Sequence, residues 1–84
     1  EIKRQGIYKD GVPYGPWKDY YREGQIKSEG AFSNGADKPV REGKWTFYHK
    51  NGQVEKEGVY RGGRKKGTWK EYNTLGIEVS KKTY

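Results

Sequence analysis

The sequence predicts an all-β protein: an elongated, single-layer, twisted antiparallel sheet of consecutive β-hairpins. Three observations predict it. An internal repeat of about 24 residues runs through the 84-residue chain. Turn dipeptides fall at regular intervals between aromatic-rich segments. No stretch sustains the 3.6-residue apolar period of an amphipathic helix.

The repeat is anchored on tryptophan. Trp17, Trp45 and Trp69 each follow a Gly-x and each precede a tyrosine by three residues: Tyr20, Tyr48 and Tyr72. Gly24, Gly52 and Gly76 come four residues later, and Gly30, Gly58 and, as a departure, Lys82 six beyond those. Phe32, Tyr60 and Tyr84 complete the pattern, followed by Gly35 and Gly63. Gly6, Tyr8, Gly11 and Gly15 fit the same template ahead of Trp17. The division that follows is a partial repeat at 1–15, a repeat at 16–43, a second at 44–67 and a partial one at 68–84. The first tryptophan spacing exceeds the second by four residues, which places a loop insertion near 36–42, in ADKPVRE. A chain that starts partway through a repeat reads as a fragment or a processed form.

Each unit reads as strand, turn, strand, turn. WKDYY, WTFYH and WKEYN are rich in aromatic strand formers. REGQ, KNGQ and TLGI are hairpin turns, and Asp10-Gly11, Asn34-Gly35 and Gly62-Gly63 are the turns at the other end. Two-residue loops at Glu23-Gly24 and Asn51-Gly52 set Trp17 opposite Gly30 and Trp45 opposite Gly58, so that each indole covers the bare backbone across from it. Trp69 then faces Lys82, whose aliphatic stem is a poorer substitute, and the third unit reads as a terminal cap.

Alternation assigns the faces. Ile26, Ser28, Gly30 and Phe32 go with Trp17 and Tyr21; Val54, Gly58 and Tyr60 go with Trp45 and Phe47; Ile2, Gly6 and Tyr8 continue that spine. Tyr20, Tyr48 and Tyr72 take the other face, among Lys18, Arg22, Lys27, Glu29, Lys50 and Glu57.

Composition agrees with a thin sheet. Only 30% of residues are hydrophobic, too few for a thick two-layer core, while half of that share is aromatic, at 15% of the chain. Disordered chains are poor in aromatics. The net charge of +7 suits either a plain basic, solvated surface or attraction to anionic partners: an acidic protein, anionic lipid or nucleic acid. Cysteine is absent, which excludes disulfides and thiolate metal sites. No apolar run approaches the ~20 residues of a membrane helix, and no signal peptide is visible.

The repeated segments SEGAFSNG…EGKW and KEGVYRGGRKKGTW resemble the MORN repeat, with its Gly-x-aromatic-x-x-Gly-x-x-x-Gly core. The continuation Trp-x-x-Tyr-x-x-x-Gly resembles most closely the variant MORN repeats of bacterial proteins grouped with the YwqK-family antitoxins. The resemblance covers nearly the whole chain. It implies a sheet of successive hairpins that binds partners: toxin neutralisation in the antitoxin grouping, scaffolding or acidic-lipid contact among MORN proteins generally. The ADKPVRE insertion and Lys82 depart from the pattern.

Catalytic chemistry is not expected. His49 is the sole histidine and reads as an exposed strand-end residue. Ser28, Ser33 and Ser80 stand on nothing resembling a nucleophile elbow. RGGRKKG lacks the order of a phosphate-binding Walker loop and falls at a repeat turn. No cofactor or metal is implied.

The residues assigned to partner binding are Tyr20, Tyr48 and Tyr72, shared between packing and contact, and the basic cluster Arg61, Arg64, Lys65 and Lys66. Trp17, Gly30, Trp45, Gly58 and Trp69 are assigned to the fold. The expected function is a non-catalytic protein-binding module of antitoxin or immunity type. The alternatives are anionic-lipid or nucleic-acid binding through the basic surface, and a scaffold segment of a longer array. Free edges at both ends of the sheet also invite a homodimer.

Overall fold

A computed structural model describes residues 3–34 and 39–84. Seven strands follow one another: β1 (Lys3–Lys9), β2 (Val12–Tyr20), β3 (Ile26–Asn34), β4 (Pro39–Tyr48), β5 (Val54–Arg61), β6 (Arg64–Tyr72) and β7 (Glu78–Thr83). They form one antiparallel sheet in the order β1-β2-β3-β4-β5-β6-β7. The molecule measures 40 × 33 × 15 Å with a radius of gyration of 13.5 Å. A compact chain of this length has about 12 Å. The structure is therefore a slab one sheet thick, as the composition required.

The expected registers are present, with a different local geometry. Trp17 pairs with Gly30, Trp45 with Gly58 and Trp69 with Lys82. The turns that produce these registers hold three residues, not two. The amide of Tyr21 donates to the carbonyl of Gln25 at 2.7 Å, and that of Gly24 to the carbonyl of Tyr21 at 2.9 Å. His49 with Gln53 and Asn73 with Ile77 repeat the arrangement. The extra loop residue shifts the register by one, and a bulge in the returning strand shifts it back. Asp19 pairs with Ser28 but Tyr20 with Ile26, leaving Lys27 unpaired. Glu55 and Val79 are the corresponding bulged residues.

The bulges correct the face assignment. Ile26 and Val54 pair with Tyr20 and Tyr48, so they join the tyrosine face, not the indole face. Lys27 and Lys50, expected among the tyrosine row, instead lie with their ammoniums 5.8 Å from the ring of Tyr21. A bulged strand turns its side chains out of simple alternation. Ile2 lies outside the described residues, as do Gly35 and 36–38 of the insertion. The rest of the insertion is not a loop: Pro39–Glu42 belong to β4 and pair with Ala31–Asn34. The insertion thus lengthens this hairpin.

A second irregularity explains Gly-x-Trp. Gly6 pairs with Trp17 but Ile7 with Tyr14, so Gly15 and Pro16 are extra on β2. Gly43 with Lys44, and Gly67 with Thr68, are extra on β4 and β6. The glycines have φ of +76°, +79° and +71°, left-handed values that a Cβ disfavours. This bulge presses each indole onto the strand before it. A Cβ on Gly6 would lie 2.0 Å from Trp17, on Gly30 2.1 Å from Trp45, and on Gly58 2.2 Å from Trp69. The glycine under each indole is therefore on the preceding strand, and not the following one as expected for Trp17 and Trp45. Trp69 has a full partner in Gly58, and the third unit is not degraded at its tryptophan.

The core is a row of rings. Trp17, Trp45, Trp69 and Tyr60 are buried, with Phe32 and Phe47 packed against them. Tyr8, Trp17, Phe32, Trp45, Tyr60 and Trp69 form an unbroken edge-to-face series with centroid separations of 5.0–6.3 Å. Each such contact stabilises by about 0.5–1.5 kcal/mol beyond area burial. The indole N–H groups of Trp45 and Trp69 donate to the carbonyls of Ala31 and Val59, the residues after the covered glycines. Trp17 donates to Asp19 instead.

Cations stand in for a second layer. The Arg41 guanidinium lies 5.0 Å from Trp45, 5.6 Å from Phe47 and 5.5 Å from Tyr60. Lys56 lies over Phe47, and Lys65 over both Trp69 and Tyr84. In each case the charged group itself lies over the ring face, where the ring quadrupole attracts it.

Candidate partner-binding surface

Each tyrosine of the row ties its strand to the one before. Tyr20 Oη donates to Gln5 at 2.8 Å, Tyr48 Oη to the Glu29 carboxylate, and Tyr72 Oη to Glu57 at 2.7 Å. Burial, followed by the hydrogen bond and charge of Glu29, pushes the Tyr48 phenol from its usual 10.0 up to about 12. The hydrogen bond to Glu57 raises Tyr72. The neutral, donating form is the one the fold favours. The hydroxyl ends of the row are therefore engaged within the sheet.

His49 is half-buried rather than exposed. Its Nε2 lies 2.9 Å from the carbonyl of Tyr72. Tyr21 Oη, Gln25 Nε2 and Asn51 Nδ2 likewise donate to the carbonyls of Tyr48, Lys50 and Thr74. These bonds lash each three-residue turn to the next.

The structure separates the basic cluster. Lys65 pairs with Tyr60 and joins the indole face, where it covers Trp69. Arg61, Arg64 and Lys66 alternate to the other face. Arg61 pairs with Arg64, and Lys66 pairs with Val59. Arg61 and Lys66 border a shallow groove with Glu42, Gly43, Val59, Tyr60, Gly67 and Thr68. Glu42, the nearest carboxylate of that groove, accepts the Gly62 amide at 2.8 Å. The ion pairs among the described residues are Arg4–Asp19, Lys44–Glu57 and Lys70–Glu78, none of which uses these three cations. Among the described residues, no group of three or more His, Asp or Glu side chains is placed to hold a metal ion.

Sequence reasoning missed the covering role of Arg41 and Lys56, because a cation over a ring belongs to no local spacing. It also missed the exposed apolar corner Leu75, Ile77 and Val79. The signal was present there: internal repeats carry Glu23 and Asn51, Gln25 and Gln53, and Lys27 and Glu55 at the same places.

The indole-on-glycine bulge and the repeated hairpin are the structural form of a known repeat. The family model for the MORN repeat variant matches residues 13–34 and 41–61, just over half the chain. The chain belongs to the MORN repeat variant family. The matched segments fall on β2–β3 and on β4–β5, and the hairpin β6–β7 continues the same geometry beyond them. A search of curated proteins and one of solved structures each returned no match. As a MORN repeat protein, the chain is a repeat module of a binding kind, built as an open sheet of hairpins. No helix among the described residues is long and apolar enough to cross a membrane.

Proposed function

We propose that this MORN repeat chain is a non-catalytic protein-binding module that holds an acidic partner protein against its tyrosine face, in the manner of an antitoxin or immunity protein. The observation that carries the reading is the division of the cations. Arg41, Lys56 and Lys65 cover rings, and Lys44 and Lys70 pair with carboxylates. Among the described residues, Arg61, Arg64 and Lys66 have neither task; all three lie on one face, where Arg61 and Lys66 border an open groove. Unpaired guanidinium groups are well suited to carboxylates, which they bind in bidentate fashion. The groove floor of Val59 and Thr68 offers apolar and hydroxyl contact beneath them.

The test pairs affinity capture with a triple substitution, Arg61→Ser, Arg64→Ser and Lys66→Ser. The expected outcome is one stoichiometric partner, retained at moderate salt by the parent and lost by the variant, with thermal stability unchanged. Substitutions of exposed cations outside any contact shift stability by only about 0.5 kcal/mol. Binding to anionic vesicles or oligonucleotides that falls steeply with salt, with no protein partner, would replace this reading by the lipid or nucleic-acid alternative.

A further inference from the structure

Lys82 decides what the free edge of β7 accepts. It holds the position of Gly30 and Gly58, the glycines on which the indoles of the next hairpins lie. Even a single Cβ at those places would come within 2.2 Å of an indole. A further Gly-x-Trp strand therefore cannot dock beside β7, whether it comes from the same chain or another.

The same hairpin is apolar where the internal ones are polar. Gln25 and Asn51 bond to the carbonyls of the next turn, Lys50 and Thr74. Ile77 and Leu75 replace them in the last hairpin, and Val79 replaces Lys27 and Glu55. Leu75, Ile77 and Val79 are 77%, 58% and 61% exposed. The arrangement gives up bonds to a following turn and presents aliphatic surface along the outer edge of β7.

β7 is also complementary to itself in charge. Glu78 pairs with Tyr72 and Lys81 with Lys70, so both project from the tyrosine face. A two-fold axis between Val79 and Ser80 of antiparallel β7 strands sets Glu78 of each copy across from Lys81 of the other, on that same face. Ile77 then meets the stem of Lys82 on the indole face. Edge lysines ordinarily deter pairing. Here Lys81 shares the Glu78 carboxylate of the other copy with that copy's Lys70, which lies 3.9 Å from it, and Lys82 already lies 5.1 Å from the ring of Tyr84.

From these three features we infer that the β7 edge is a homodimer interface, in which two copies join antiparallel into a continuous fourteen-stranded sheet (twice the seven of one copy). The interface is isologous and leaves the Arg61, Arg64 and Lys66 face of each copy open. It is independent of the partner-binding reading.

Sedimentation equilibrium of the full chain over a wide concentration range tests it. The parent is expected to dimerise reversibly. Val79→Lys, which restores the residue found at Lys27, is expected to be monomeric throughout with an unchanged circular dichroism spectrum. Glu78→Lys is expected to weaken the dimer roughly tenfold by setting like charges opposite one another. Adding Lys81→Glu restores the pairing, and this charge swap decides the matter if Val79→Lys does not fold. A parent that stays monomeric at all concentrations overturns the inference. So does a dimer that the Val79 change leaves intact, or one that the swap does not rescue.

Discussion

At the scale of the residue, the molecule depends on a contact that tolerates no added atom. Gly30 has the bulk of Trp45 where its Cβ would be. Trp45 is 1% exposed, and Arg41 closes it from above. The backbone of β3 cannot yield without losing its pairing to both neighbours. Gly30→Ala is therefore expected to destabilise the protein by about 3 kcal/mol, read from urea unfolding. The double change Gly30→Ala with Trp45→Ala is expected to cost less than the sum of the two single changes, because the added methyl meets no clash once the indole is gone. Additive costs would mean that the two residues do not touch.

At the scale of the element, the strands are held by their ladders and by ties across them. Tyr48 on β4 is the most strongly perturbed of these ties, held neutral to about pH 12 by burial and by Glu29 on β3. In the unfolded chain the same phenol ionises near 10.0. Its contribution to stability is complete below that value and is lost as the pH rises from about 10 to about 12. Thermal unfolding across this range should show a steep alkaline loss of stability in the parent. Tyr48→Phe should be less stable at neutral pH and should flatten the alkaline fall. An alkaline profile that this substitution does not alter would remove the tie.

At the scale of the whole molecule, the sheet is a line of strands in which each packs chiefly on its neighbours. Such a stack loosens from its ends. The rings also concentrate at the centre: Trp45 and Tyr60 lie on β4 and β5, whereas every residue of β7 is exposed. Native-state hydrogen exchange of the monomeric Val79→Lys variant should protect β4 and β5 most and leave β1 and β7 first to exchange. Uniform protection across all seven strands would show instead that the slab opens as a single unit.

The sequence alone carried the fold class and the pairing of each tryptophan, because period, turn chemistry and strand propensity are local properties that recur in every repeat. Trp17 against Gly30 and Trp45 against Gly58 could be counted along the chain, even though a wider turn and a bulge cancelled to give the same count. Which glycine lies under which indole could not be counted. That depends on the two residues by which Gly-x-Trp overruns the preceding strand, and a bulge has meaning only when both strands are in place. The same holds for Arg41, Lys56 and Lys65: their charge is written in the sequence, but their position over rings on neighbouring strands is fixed by packing. Three-dimensional assembly thereby sorted one basic cluster into a lysine that closes the core and three cations left facing solvent.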